Sequence, residues 1–250
     1  METMENLNGC RKKEKRTISS RLTNLSVQKR KAGKVILPPV YSIKDKMPPV
    51  YLQHYGNCTS NAALGCDHFI YHTNKWVPST TFTYYIQKVR EHEKPMVDDG
   101  STIEEALKVI KKYGACNSTL WPNDAPFNKK PTPEAYADGL KGKEVKKWYE
   151  VKNLTQVKQA LFAGHPVAAA FAWAFKLIDA DFILNTPTRY EAEHAKSGHA
   201  VVIVGYNDTE KLIEIRNSWS DQWGNNGYGY MTYEAFKLCF WKDDSYAVVK

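Results

Sequence analysis

The sequence predicts an α+β fold in which helices come first and strands second. Three observations carry this. Apolar residues recur at helical spacing after Cys58 and again from Ile103. Past residue 147 the apolar runs become short and rich in β-branched residues, as in Val167–Ala172 and Ala200–Tyr206. Helices and strands do not alternate, which argues for two segregated lobes and against a doubly wound parallel sheet. The expected boundaries are a basic tail over 1–36, a mainly helical lobe over 37–146 and a mainly β lobe over 147–250.

Each element follows from local chemistry. Leu37-Pro38-Pro39 and Pro48-Pro49 read as extended chain, because the residue before a proline avoids the helical region. After Cys58, Ala62, Cys66, Phe69 and Ile70 fall at i, i+4, i+7 and i+8, which predicts a helix with one buried face. Ser101-Thr102 caps the next helix, with Glu104 and Glu105 in its first turn, Ile103, Leu107 and Ile110 on one face, and Gly114 as its stop. Trp121-Pro122 to Pro133 reads as loop. Trp148–Val151 reads as a strand and Leu154–Phe162 as a short helix ended by Gly164. Val167–Ala172 fits a buried strand. Residues 175–197 give no clear assignment. Ala200–Tyr206 is a strand, Asn207-Asp208 a turn, and Leu212–Arg216 the strand that pairs back. A glycine-rich stretch then leads to an extended Tyr230–Thr232.

Composition bounds the function. The 250 residues suffice for one large domain or two small lobes, and 42% hydrophobic with 12% aromatic residues excludes a disordered chain. No apolar run approaches the ~18 residues of a membrane span. Net charge is +8, but residues 1–36 hold ten Lys/Arg against three Asp/Glu, which leaves the remainder at +1. A body built to grip nucleic acid is therefore not expected, and only the tail could do so. The five cysteines (10, 58, 66, 116 and 239) are too few for a disulfide scaffold, and their odd number leaves at least one unpaired unless chains cross-link. The first residues lack the apolar core of a secretory signal, so an intracellular place, cytoplasm or virion, is expected.

Cys58 follows a Gly56-Asn57 turn and opens a predicted helix, where free N–H groups and the helix dipole stabilise a thiolate. His199 stands at the mouth of a buried strand and could serve as its base. Asn217 ends the strand that pairs back, within reach to fix the imidazole. His199 and Asn217 lie 141 and 159 residues after Cys58. His68 and His72 share an i, i+4 spacing, but no third ligand is evident and no metal is expected.

The blocks Gln53-His-Tyr-Gly-Asn-Cys58-Thr-Ser-Asn-Ala62, Gly198-His-Ala-Val-Val-Ile-Val-Gly-Tyr206 and Asn217-Ser-Trp-Ser-Asp-Gln-Trp-Gly-Asn-Asn-Gly-Tyr228 resemble the papain/cathepsin cysteine peptidases. The Cys-Thr-x-Asn-Ala form is most similar to the short branch of bacteria and large DNA viruses. The resemblance implies a papain-like two-lobe fold, a helical lobe against a β-barrel-like one, with a peptide-binding cleft between them. It implies Cys58 as nucleophile, His199 as general base and acid, Asn217 as the residue orienting the imidazole, and Trp219 as the indole covering that pair. Gln53 and the backbone N–H of Cys58 match the oxyanion hole. It implies no cofactor, a peptide or protein substrate, no membrane and a monomer. Two departures stand out: Gln53 precedes Cys58 by five residues where six are usual, placing Leu52 at the usual position, and Asn-Ser-Trp-Gly reads Asn-Ser-Trp-Ser220.

Two other functions fit parts of this pattern. One is a catalytically weak binding or virion-associated protein on the same scaffold. The other is a related Cys-His acyl transferase, for which Asp is the usual third member. The tail, with RKKEKR and QKRKAGK, reads as a short pro-segment lying across the cleft, a targeting or nucleic-acid tail, or a solvated linker. Asn57 lies in one of five glycosylation sequons, and a glycan there would block the cleft.

Overall fold

A computed structural model of the chain describes residues 9–13, 36–71, 76–91, 96–141, 145–176 and 178–249. His72 and most of the basic tail lie outside these residues. The helices of the first half are α1 (Cys58–Tyr71), α2 (Thr80–Arg90), α3 (Ile103–Tyr113) and α4 (Pro133–Gly139). The second half holds α5 (Leu154–Phe162), α6 (Arg189–Glu193) and α7 (Tyr233–Cys239) among strands β2 (Lys147–Glu150), β3 (Val167–Ala172), β4 (Gly198–Asn207), β5 (Leu212–Arg216), β6 (Tyr228–Thr232) and β7 (Tyr246–Val249). Strand β1 (Val40–Ser42) comes from the first half but joins the sheet of the second.

The sheet is antiparallel, in the order β2-β7-β3-β4-β5-β6, with β1 continuing beside β4. It stays open between β2 and β6, so the barrel-like lobe implied by the resemblance is an unclosed sheet. The central strands β3 and β4 are buried along nearly their whole length, as their uninterrupted apolar runs require. The β4–β5 register shifts between Ile203 and Gly205.

Helix α1 departs from the expected single buried face. Every residue from Cys58 to His68 is buried. The helix is enclosed because it packs on β4 on one side and on α2 and α3 on the other. Much of its polar face is paired internally, although Asn61 Oδ1 is buried without a partner. Ser60 Oγ donates to Gln87 Oε1 at 2.5 Å, and Asn61 Nδ2 donates to the Asn57 carbonyl at 3.0 Å. Helical periodicity cannot distinguish Ser, Thr and Asn facing water from the same residues facing another helix's glutamine.

The other helices follow their caps. Thr102 accepts from the Glu105 N–H, and Gly114 closes α3. Asp244, 186 positions beyond Cys58 in the chain, also accepts from the N–H groups of Ile103 and Glu104 at 2.8 and 3.1 Å, which ties the start of α3 to the sheet side. Asn153 caps α5, and a full capping box of Thr188 and Glu191 begins α6 within the stretch that gave no sequence assignment. Helices α2, α4 and α7 and strand β7 had no sequence assignment either. In α2 most positions are Thr, Tyr, Gln or Lys, and their burial depends on α1 and α3.

Gly65 fixes the approach of α1 to the sheet. A Cβ there would meet Arg216 Nη1 at 2.9 Å and Val202 Cγ2 at 3.3 Å. Arg216 is itself fully buried and donates from Nη2 to the Pro49 carbonyl at 2.5 Å, so it cannot simply swing away. Gly65→Val is expected to overpack this contact and destabilise the fold by about 1–3 kcal/mol. Urea unfolding of wild type and variant, at equal m-value, checks this.

Candidate active site

Two elements bring the candidate residues together. Cys58 is the first residue of α1 and is fully buried. His199 is the second residue of β4, against which α1 packs. The main-chain N–H of Ala200, next to His199, hydrogen-bonds the Cys58 thiol. Asn217 follows directly after β5, the strand that pairs with β4.

His199 Nε2 lies 2.7 Å from Asn217 Oδ1. The same Oδ1 accepts from the Ser218 N–H at 2.8 Å, which fixes the carboxamide with its oxygen toward the ring. An amide oxygen only accepts, so Nε2 carries the proton in this bond. Nδ1 is then the basic nitrogen of the neutral ring, and it is buried without a hydrogen-bond partner. Indole rings cover the imidazole. Trp219 stacks on it with centroids 4.7 Å apart, and Trp173 meets it edge-on at 4.6 Å. These rings keep water from competing for the Asn217–His199 bond.

Gln53 is buried and Leu52 is half exposed, so the chain turns the glutamine inward despite the five-residue spacing. Its backbone N–H donates to the Ser218 carbonyl at 2.8 Å, and Ser218 Oγ donates to Oε1 at 2.7 Å. Its Nε2 donates to the Tyr55 carbonyl at 2.8 Å, inside the shortened loop. The amide nitrogen thus bonds within its own loop in this state, where the resemblance implies a donor beside the Cys58 N–H. Ser218 and Trp173 were not singled out. The signal for Ser218 was its place in the Asn-Ser-Trp block; Trp173 carries none beyond following a buried strand.

The described part of the tail lies on this site. Cys10 N–H donates to the Gly198 carbonyl at 3.0 Å, Ser101 N–H to the Gly9 carbonyl at 2.8 Å, and Arg11 N–H to the Ser101 carbonyl at 2.8 Å. Cys10 thus bridges Ser101 in parallel and Gly198 in antiparallel sense. The Gly9 main chain also hydrogen-bonds the Cys58 thiol. A Cβ on Gly9 would stand 1.9 Å from the Gly56 carbonyl oxygen, so only glycine fits there.

Burial decides the electrostatics. The helix N-terminus alone predicts a lowered thiol pKa. Burial instead pushes the Cys58 thiol up to about 11, against main-chain N–H groups of Ala200, Gly9 and Thr59 that pull it down. Burial holds His199 down to about 4, against the upward pull of Asn217. At neutral pH both groups are therefore uncharged while the cleft is covered, and the low-pKa thiol expected from the helix start is absent from this state. Asp244, beneath Cys10, is raised by burial to about 6.

Among the described residues no group of three or more His, Cys, Asp or Glu side chains could hold a metal, and no helix is long and apolar enough to cross a membrane. All five cysteines are free.

Residues 55–249 match the model of the papain family cysteine protease. The chain belongs to that family. It is 33% identical over 198 residues to an uncharacterized peptidase C1-like protein of Acanthamoeba polyphaga mimivirus, covering 72% of this chain and 62% of that one. It is 29% identical over 140 residues to Peptidase 1 of Euroglyphus maynei, covering 52% and 41%. The chain thus spans about two fifths to three fifths of the length of these relatives. Among solved structures it is similar to xylellain, a cysteine protease from Xylella fastidiosa, with a TM-score of 0.72 and 27% identity over 86% of this chain and 88% of that one. The fold is shared with digestive procathepsin L 3 of Tenebrio molitor, at a TM-score of 0.64 and 15% identity over 98% and 76%.

With the thiol raised to about 11, its thiolate fraction at pH 7 is small, and it grows with pH up to that value. Iodoacetamide is expected to label Cys58 of the full chain slowly at pH 7, with a rate that climbs through pH 9–10. Gly9→Val, which cannot seat against Gly56, is expected to raise the pH 7 rate by about tenfold or more. Peptide-resolved mass spectrometry reads both.

Proposed function

We propose that this chain hydrolyses peptide bonds in peptide or protein substrates through Cys58, and that residues 9–13 hold it inactive until they leave the cleft. The observation that supports this most is the His199–Asn217 hydrogen bond, which directs the basic Nδ1 away from Asn217 while the neighbouring Ala200 N–H meets the Cys58 thiol. In the proposed reaction, uncovering the cleft rehydrates both groups and lets the Cys58 proton pass to His199. The thiolate attacks the carbonyl carbon. The developing oxyanion is held by the Cys58 N–H and the Gln53 carboxamide, whose orientation Ser218 fixes. The imidazolium protonates the leaving amine as the C–N bond breaks. Water, deprotonated by His199, then releases the acyl group and restores the thiol. Asn217 holds the ring in one tautomer throughout.

The tail is read as a short pro-segment, and the domain boundaries at 36/37 and 146/147 belong to the same proposal. The pairing of Cys10 with both Ser101 and Gly198 supports it, because a peptide bridging those two strands fills the groove beside the nucleophile.

The decisive measurement is hydrolysis of fluorogenic peptides by the Gly9→Val chain. It is expected to exceed the wild-type rate by about tenfold, as the competent population rises. Adding Cys58→Ala to that chain is expected to lower kcat by at least ~10³-fold. Normal turnover without Cys58 would overturn the assignment.

Gln53 has its own signature. In the Gly9→Val chain, Gln53→Ala is expected to reduce kcat by about 10²–10³ with KM little changed, since an oxyanion donor acts in the transition state. A rise in KM alone, or no effect, would assign the oxyanion to another donor.

A further inference from the structure

We propose that Glu91 and Asp99 form a subsite of the cleft that selects an arginine or lysine side chain, lying two residues along the bound peptide from the residue that meets Cys58. This rests on the peptidase reading above, because it assigns substrate preference to the same cleft.

The argument begins with what the cleft already holds. Main-chain bonds to Gly198 and Ser101 lay residues 9–11 along the groove in extended form. Gly9 meets the Cys58 thiol, and the next side chain, Cys10, is buried. The following one, Arg11, reaches the rim formed by the end of α2 and the loop before α3. There its guanidinium pairs with Glu91 and lies 3.5 Å from Asp99 Oδ2. The occupant's position is set by the backbone ladder, so the cation is carried to these carboxylates by the same main-chain bonds that any extended peptide in this groove can use.

The charge balance of the rim points the same way. Lys88 is fully buried, and its Nζ lies 2.5 Å from Asp99 and 3.7 Å from Glu91. Ser101 Oγ also donates to Glu91, at 2.7 Å. Among the described residues, two carboxylates thus face one internal lysine, and Arg11 supplies the second positive charge. Without Arg11, these described residues carry two negative charges against one positive. With Arg11 seated, the Glu91 side chain is 18% exposed and Asp99 47%, so the guanidinium meets these carboxylates in a setting less screened than open water. Further along, Lys13 meets Glu104 at 2.8 Å, so the acidic wall extends in the same direction. A neutral side chain at the Arg11 position would leave that charge uncompensated.

The test uses the full-length Gly9→Val, Cys58→Ala chain, whose cleft is open and which does not cleave. The probe is a fluorescein-labelled peptide copying residues 8–14, with serine for cysteine, compared with the same peptide carrying glutamine for arginine. The arginine peptide is expected to bind about tenfold tighter at low salt, with the difference shrinking as salt rises. Glu91→Gln with Asp99→Asn is expected to erase the difference. Asp99→Asn alone, which keeps an oxygen beside Lys88 and leaves Glu91 as its counterion, is expected to reduce it about threefold. Equal affinities, discrimination that survives the double variant, or no binding of either peptide would each overturn the subsite. A second arm uses the cleaving Gly9→Val chain and a peptide library. Arginine or lysine is expected at one fixed position within three residues of the cut, and neutral residues there would overturn the proposal. Absence of any cleavage would count against the peptidase reading, while the binding arm would still decide the subsite.

Discussion

The site depends on the burial of α1 on all sides. A helix enclosed by a sheet and two other helices has one position and one direction, and its first residue is therefore held in place. That residue is Cys58, and the strand against which it packs begins with Gly198-His199. Gly65 allows the close approach, and the buried Arg216 next to Asn217 defines its limit. Enclosure requires that the helix's polar residues find partners inside the protein. Gln87 of α2 supplies them for Ser60 and, at 3.3 Å, for Thr59. The helices and the sheet are thus coupled through the element that carries Cys58.

The same enclosure explains why Cys58 and His199 are uncharged in this state. A helix N-terminus and several main-chain N–H groups favour a thiolate, yet removing the thiol from water outweighs them and carries its pKa to about 11. His199 responds to the same burial in the opposite direction, because its charged form is the protonated one. Residues 9–10 pair with Gly198 and Ser101 beside these groups, and the proposed pro-segment role assigns them the exclusion of water from the groove.

Gln53 shows how a changed spacing is absorbed. The shortened loop still turns this side chain inward, since the backbone pairs with Ser218 and the Ser218 hydroxyl takes Oε1. Its amide nitrogen closes on Tyr55 within the loop. The glutamine is thus tied to the residue following Asn217, and the loop geometry and the His199–Asn217 pair share one scaffold.

Legible in the chain alone were the helices at Ile103–Tyr113 and Leu154–Phe162 and the strands at Val167–Ala172 and Leu212–Arg216. These assignments rest on local signals: caps, glycine stops and β-branched runs, each of which acts within a few residues. The His199–Asn217 pairing was legible for a similar reason, because a tight turn obliges two neighbouring strands to pair back. Tertiary structure decided the rest. It enclosed α1 where periodicity showed one buried face, made a helix of the polar Thr80–Arg90, and left the sheet open. It also set the Cys58 thiol above its ordinary range instead of below it. Burial depends on what a distant segment brings over a residue, and Gly9 and Cys10 stand nearly fifty positions from the thiol they cover. No local pattern encodes that contact, so only the folded chain reveals which charge the site can hold.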